Sequence, residues 1–213
     1  MSRWNERRDV PRGTAYDERW QALAAAGESI HGEADLVTSL WAERGGAARE
    51  RPPSVLDAGC GTGRVAIELR SRGFDVVGVD LDPAMLATAK QKAPDATWID
   101  GDLADVTIVD VTIADAGDRP KLFDLVVLAG NVMIFVAPGT EDRVVANLAR
   151  HLRPSGLVVA GFQLHPGRSS LATYDTACER AGLALLERWS TWDRQVFDPD
   201  AAYAVSVHTK AVR

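Results

Sequence analysis

The sequence predicts an α/β domain built on a mostly parallel sheet that an antiparallel pair of strands closes. Three observations carry this reading. After Pro53, short β-branched runs alternate with helix-patterned stretches, the signature of βαβ units. One of those runs, Phe123 to Leu128, is dominantly apolar, as expected of a strand buried on both faces. The last two strand-like runs, about Ala184 to Val196 and Ala201 to Ala211, are joined by the turn residues Asp198-Pro199-Asp200. A connection that tight requires antiparallel pairing.

Size and composition agree with this class. The chain has 213 residues, enough for one α/β domain with a sizeable core but cramped for two. Apolar residues make up 46% and charged residues 25%, ordinary values for a globular protein. The net charge of -6 weighs against a nucleic-acid partner, which usually demands a basic footprint. The 2 cysteines, Cys60 and Cys178, make neither a spaced metal set nor a disulfide framework, so a reduced, cytoplasmic setting and no bound metal are expected. Residues 1–12 are charged and do not read as a secretory signal. No run approaches the roughly 18 apolar residues of a membrane span, and no membrane partner is expected.

The elements follow in order. Residues 1–15 are polar and Arg-rich and read as a mobile tail, in which Trp4 alone would gain from docking. Tyr16 to about Arg44 is helical, with Leu36, Val37, Leu40 and Trp41 on one face. Residues 1–45 then make a tail and helical lid, and 54–213 the core of a single domain. Gly45, Gly46, Pro52 and Pro53 break the chain before the core. Ser54 to Asp57 is the first strand and Thr62 to Arg72 its helix. Asp75 to Val79 and Pro83 to Lys92 repeat the unit, and Ala96 to Ile99 is a short third strand. After the fourth strand comes a helix near Thr140 to Leu152, with Val144, Leu148 and Leu152 spaced by four. Gly156 to Phe162 is the fifth strand. A helix from Ser169 to Ala181 puts Leu171, Tyr174, Cys178 and Ala181 on one face before the terminal pair. Asp105 to Lys121 alternates imperfectly and fits an edge hairpin, a flap or an ordered loop equally well.

The chemistry centres on Val55-Leu56-Asp57-Ala58-Gly59-Cys60-Gly61-Thr62-Gly63, which leaves a strand and opens a helix. Glycines here let the backbone bend sharply and let a ligand approach the main chain. The dinucleotide fingerprint would require glycine at position 64, where Arg64 stands. Asp57, two residues before Gly59, would repel phosphate and attract an ammonium group. The pattern therefore suits a nucleoside carrying an amino acid better than a dinucleotide. Asp80 ends the second strand about 20 positions after the turn, placed to accept both ribose hydroxyls. Asp100 and Asp102 end the third strand, where an adenine amino group would lie.

Asp57-Ala-Gly-Cys-Gly-Thr-Gly-Arg64, Gly78-Val-Asp-Leu-Asp-Pro-Ala-Met-Leu86 and Gly101-Asp102-Leu103 resemble successive motifs of the class I S-adenosylmethionine-dependent methyltransferases. Phe123 to Asn131 and Leu152 to Val159 resemble that family's fourth strand and the approach to its fifth, so the likeness covers roughly residues 54–162. It implies a Rossmann-like three-layer sandwich with seven strands in the order 3-2-1-4-5-7-6. It also implies S-adenosylmethionine as cofactor and S-adenosylhomocysteine as product. By this similarity Gly59 and Gly61 pass along the methionine and ribose portions, Asp80 binds the ribose hydroxyls, its neighbour Leu81 also meets the cofactor, and Met85 packs near the adenine. Asp102 and the Leu103 backbone meet the adenine amino group. Ala129 and Asn131 lie near the amino-acid end, and Tyr16 resembles an N-terminal tyrosine that touches the cofactor carboxylate. Ser155 stands where a glycine is more usual.

Each assignment has a blander competitor. Asp57 would also serve by bracing the glycine loop, Asp80 as a surface carboxylate, and Met85 or Tyr16 by plain packing. Asp100 reads as solvent-exposed, and Cys60 as small loop filling rather than a nucleophile. His31 reads as a helix start before a cofactor contact. Asn131 and His165 follow strand ends and are the weak candidates for a catalytic role. Trp20, Trp41, Trp98, Trp189 and Trp192 read mostly as packing, and the Arg3, Arg7, Arg8 and Arg12 group as a solvated tail. Methyl transfer to a small-molecule acceptor is the first functional expectation. A non-catalytic S-adenosylmethionine-binding regulator or scaffold is the alternative. Nucleic-acid methylation comes third, because Ala129-Gly130-Asn131-Val132 lacks the Pro-Pro-aromatic step that grips a flipped base.

Overall fold

The computed structural model describes residues 2–7, 10–46, 50–109, 120–164 and 170–212. Seven strands make the sheet: β1 (Ser54–Ala58), β2 (Asp75–Asp80), β3 (Thr97–Asp100), β4 (Phe123–Leu128), β5 (Leu152–Gln163), β6 (Leu183–Trp189) and β7 (Tyr203–Lys210). Their order is β3-β2-β1-β4-β5-β7-β6, as the resemblance implies. The first five strands run parallel, and β7 inserts antiparallel between β5 and β6. Eight helices surround them among the described residues: α1 (Arg3–Glu6), α2 (Thr14–Ala25), α3 (Gly32–Glu43), α4 (Arg64–Ser71), α5 (Pro83–Lys92), α6 (Val132–Phe135), α7 (Glu141–Arg150) and α8 (Leu171–Arg180).

Alternation along the strands divides the core in two. Leu56, Val77, Val126 and Val158 pack with Val144, Leu148, Tyr174 and Cys178 of α7 and α8. Val55, Val76, Leu125 and Val127 face the other way, onto Leu36, Val37 and Leu40 of α3 and Val65 and Leu69 of α4. Every residue of β4 is buried, including Asp124, whose carboxylate is held by a two-pronged bond from Arg51 at 2.6 and 2.7 Å.

Five boundaries differ from the sequence reading, each for a local reason. The long N-terminal helix is two, because Gly27 takes φ 81° and ends the first. The glycine turn runs on to Gly63, so α4 starts at Arg64 rather than Thr62. The β5 strand begins at Leu152, ahead of Gly156, and Ser155 sits at φ 60°, the left-handed conformation that makes glycine usual there. The β6 strand stops at Trp189, where Ser190 bonds to Gln195 and turns the chain back on itself. The N-terminal tail is not free: residues 3–6 form α1 and dock through Trp4. The ends of the Asp105–Lys121 segment pair antiparallel, Val109 opposite Pro120, while residues 110–119 lie outside the described residues. Among the described residues no helix is long and apolar enough to cross a membrane.

Candidate active site

The carboxyl ends of β1, β2 and β4 open onto a cavity that encloses, with the solvent at its mouth, about 920 Å³. Its floor is the glycine loop. The N–H groups of Gly59 and Cys60 both donate to the Val79 carbonyl, at 2.8 and 3.0 Å, which pins the loop to β2. Gly59 and Gly63 both take φ 81°. A Cβ on Gly59 would stand 2.5 Å from Val132 Cγ2, and one on Gly63 would stand 2.5 Å from Trp98 Cη2, so neither position admits a side chain.

Two carboxylates frame this floor. Asp80, at the end of β2, accepts the Gly61 N–H at 2.7 Å through Oδ2 and the Asp82 N–H at 2.9 Å through Oδ1. Burial raises its pKa, and these backbone donors oppose the rise. Asp57 is only 1% exposed. Its Oδ2 accepts the Ala66 N–H at 3.0 Å and so caps α4. Its Oδ1 is buried with no hydrogen-bond partner among the protein atoms. Burial pushes its pKa up to about 7, and the Arg64 charge opposes that rise. Bracing the loop, the blander reading of Asp57, accounts for one oxygen and leaves the other unexplained.

The remaining predicted residues sort cleanly. Tyr16, Leu81, Met85, Asp102, Leu103 and Ala129 all line the cavity. Met85 is buried, and its sulfur accepts the Gly13 N–H at 3.2 Å. Asp102 is exposed and accepts the Ala104 N–H at 2.9 Å. Asp100 is exposed and off the cavity wall. Asn131 is not on the wall either: it takes φ 70° before α6, and its Oδ1 accepts the Gln163 N–H at 2.7 Å, tying the β4 loop to the end of β5. His165 lies outside the described residues. His31 precedes α3 and faces Glu68 at 3.6 Å, away from the cavity. Cys60 lines the cavity, but burial pushes its thiol pKa well up, which suits loop filling and not nucleophilic attack. Trp20, Trp41, Trp98, Trp189 and Trp192 are all off the wall, and the tryptophan that lines the cavity is Trp4.

Sequence reasoning missed the lid's anchors. Arg64 lines the cavity and donates to Glu33 of α3, with one contact at 2.9 Å. Its guanidinium also lies 3.8 Å from the ring centre of Trp20 of α2. Thr62 donates to Asp17, which Lys92 also holds at 2.6 Å. Helices α2 and α3 are thus fixed to the two residues that flank Gly63.

The residues present fit a nucleoside bearing an amino acid. The unpartnered Asp57 oxygen is a ready acceptor for an ammonium group, and Asp80 is held by backbone donors with lone pairs to spare. The Methyltransferase domain family model matches residues 55–156. A TehB-like SAM-dependent methyltransferase from Corynebacterium glutamicum is 38% identical and superposes with a TM-score of 0.75, covering 92% of this chain and 96% of that one. The chain belongs to the class I S-adenosylmethionine-dependent methyltransferases.

Among curated relatives, a cypemycin N-terminal methyltransferase from a Streptomyces species is 31% identical over 68% of this chain and 62% of its own length. A dTDP-3-amino-3,4,6-trideoxy-alpha-D-glucopyranose N,N-dimethyltransferase from Streptomyces venezuelae is 31% identical over 68% of this chain and 52% of its own. The match thus spans less than two thirds of the length of these relatives.

Proposed function

We propose that this methyltransferase carries a methyl group from S-adenosylmethionine to a small-molecule acceptor by in-line displacement. The observation that carries the reading is the buried, unpartnered Asp57 oxygen beside the glycine loop, with Asp80 across the loop from it. Asp57 then receives the ammonium group, Asp80 the ribose hydroxyls, and Leu81 and Met85 the adenine face. Asp102 and the Leu103 backbone read the adenine amino group, with Tyr16 and Ala129 at the amino-acid end. Asn131 acts indirectly, by holding the β4 loop that carries Ala129.

S-adenosylmethionine, when bound, supplies a methyl group already activated on a sulfonium. The chain's own part is to hold the acceptor in line, to exclude water through the anchored helices, and to surround the cationic cofactor with carboxylates. Positioning of this kind is worth about 7–11 kcal/mol, so alignment is the chain's main contribution, and an acceptor that carries a proton passes it to solvent or to a base near the cavity. The small-molecule class is supported by the amino-sugar N,N-dimethyltransferase relative.

Calorimetry tests this. Wild type binds S-adenosylmethionine and S-adenosylhomocysteine, and Asp80→Ala weakens both by about 10- to 100-fold, the worth of hydrogen bonds to one charged group. Wild type that binds neither overturns the reading.

A further inference from the structure

The N-terminal residues do more than cover hydrophobic surface. Ser2 Oγ donates to the Phe135 carbonyl of α6 at 2.7 Å. Trp4 Nε1 donates to Asp82 Oδ2 at 2.7 Å, and Asp82 also caps α5 by accepting the Ala84 N–H at 2.9 Å. The Trp4 ring meets Phe135 edge-on, with centroids 5.3 Å apart and planes at 81°. Arg12 donates to the same Asp82 oxygen, lies 5.0 Å over the Trp4 ring and binds the Trp4 carbonyl at 3.0 Å. Ser2, Trp4 and Phe135 all line the cavity, together with Leu81 and Met85. The segment therefore reaches from α6 to the start of α5, two elements that flank the mouth, and is fastened at both ends by side chains.

We infer that Ser2, Trp4 and Arg12 make a strap latched on Asp82, which closes over the bound cofactor and must release for S-adenosylhomocysteine to leave. The inference rests on the cavity being the cofactor site. The fastening argues for a device that opens. The glycine loop and strand ends are held by main-chain bonds within the sheet, whereas the strap is held across the mouth by three side chains and one ring contact. Asp82 is the common acceptor: it caps α5 through one oxygen and takes Trp4 and Arg12 on the other. Strap position is thereby tied to the turn that follows Asp80. Trp4 becomes a cofactor-facing wall residue, which neither its place in the chain nor the family motifs would suggest.

The test is the release rate of S-adenosylhomocysteine, followed by stopped-flow tryptophan fluorescence during displacement with excess S-adenosylmethionine. The variants are Trp4→Phe, which keeps a ring and loses the donor, and Arg12→Met, which keeps the stem and loses the charge. A chain starting at Gly13 is the third variant, and the melting temperature of each cofactor-free protein is recorded. Release accelerates by about tenfold or more in each point variant, the worth of one charge-assisted hydrogen bond. Both point variants take a donor from the buried Asp82 and melt below wild type without cofactor, so release is compared at a temperature where every variant is folded. Release rates within twofold of wild type in all three variants overturn the strap. Wild type that binds neither ligand overturns the cofactor site itself and the strap with it, an outcome distinct from unchanged release.

Discussion

Replacing Asp57 with Asn separates what the site costs the fold from what it does for the ligand. The carboxyl is 1% exposed, and burial raises its pKa from 3.8 to about 7. Between those pH values the folded chain holds a proton that the unfolded chain has released. The group therefore favours folding fully below about pH 4 and loses that contribution as the pH rises through 7. The shift is about three units at roughly 1.4 kcal/mol each, so ionised Asp57 costs the cofactor-free fold up to about 4 kcal/mol at pH 8. Asn is nearly isosteric and still accepts the Ala66 N–H through its carbonyl oxygen. Urea unfolding of the cofactor-free proteins should show Asp57→Asn more stable than wild type at pH 8, with the advantage about 2–3 kcal/mol smaller at pH 5. Calorimetry should show the opposite for the ligand: S-adenosylmethionine binds about 10- to 100-fold more weakly to the variant, because a buried charged partner is gone. A variant less stable than wild type at pH 8, or an advantage that ignores pH, would refute the reasoning. It would mean that capping α4 with a full negative charge outweighs burial.

Two further substitutions probe the loop and its anchor. Gly63→Ala forces a Cβ against the Trp98 ring at a residue with φ 81°, and should lower stability by about 2–4 kcal/mol in thermal melts, through left-handed strain plus overpacking. In a Trp98→Val background the same Gly63→Ala change should cost only its backbone strain, about 1–2 kcal/mol relative to that background. Arg64→Met strands Glu33 at 8% exposure and should cost about 3–5 kcal/mol, whereas Arg64→Met with Glu33→Gln should recover much of that loss. Additive effects in that cycle would dismiss the pair as the lid's anchor.

The sheet and the glycine-loop floor of the cavity were readable because their causes are local. Alternation fixes strands, and a glycine that must take positive φ stands out in any strand-turn-helix. A carboxylate at a strand end is placed by counting. What escaped depends on partners far apart in sequence. Arg64 was legible only as the absence of a glycine; its structural work is done with Glu33 and Trp20, and nothing in spacing pairs them. Asp82 caps α5 with one oxygen and takes Trp4, 78 residues away, on the other, a pairing that nothing in the spacing shows. The tail's polarity spoke for mobility, and the docking of one indole overrode it. Asn131 followed a strand end as expected, yet its amide serves the backbone of Gln163 and not the cavity.

The same distinction explains why the acceptor is the least legible partner. In the proposed reading the cofactor's demands are met by the glycine turn and by carboxylates at strand ends, Asp57 in β1 and Asp80 in β2. The acceptor makes no comparable demand, because its nucleophile needs only alignment with a methyl that is already activated. Arg64, Thr62 and Asp82 each bond to a partner in the first 33 residues, and the proposed reading has this N-terminal region contribute to the acceptor side of the cavity. Acceptor choice should then respond to changes in residues 2–33 that leave Asp57 and Asp80 untouched.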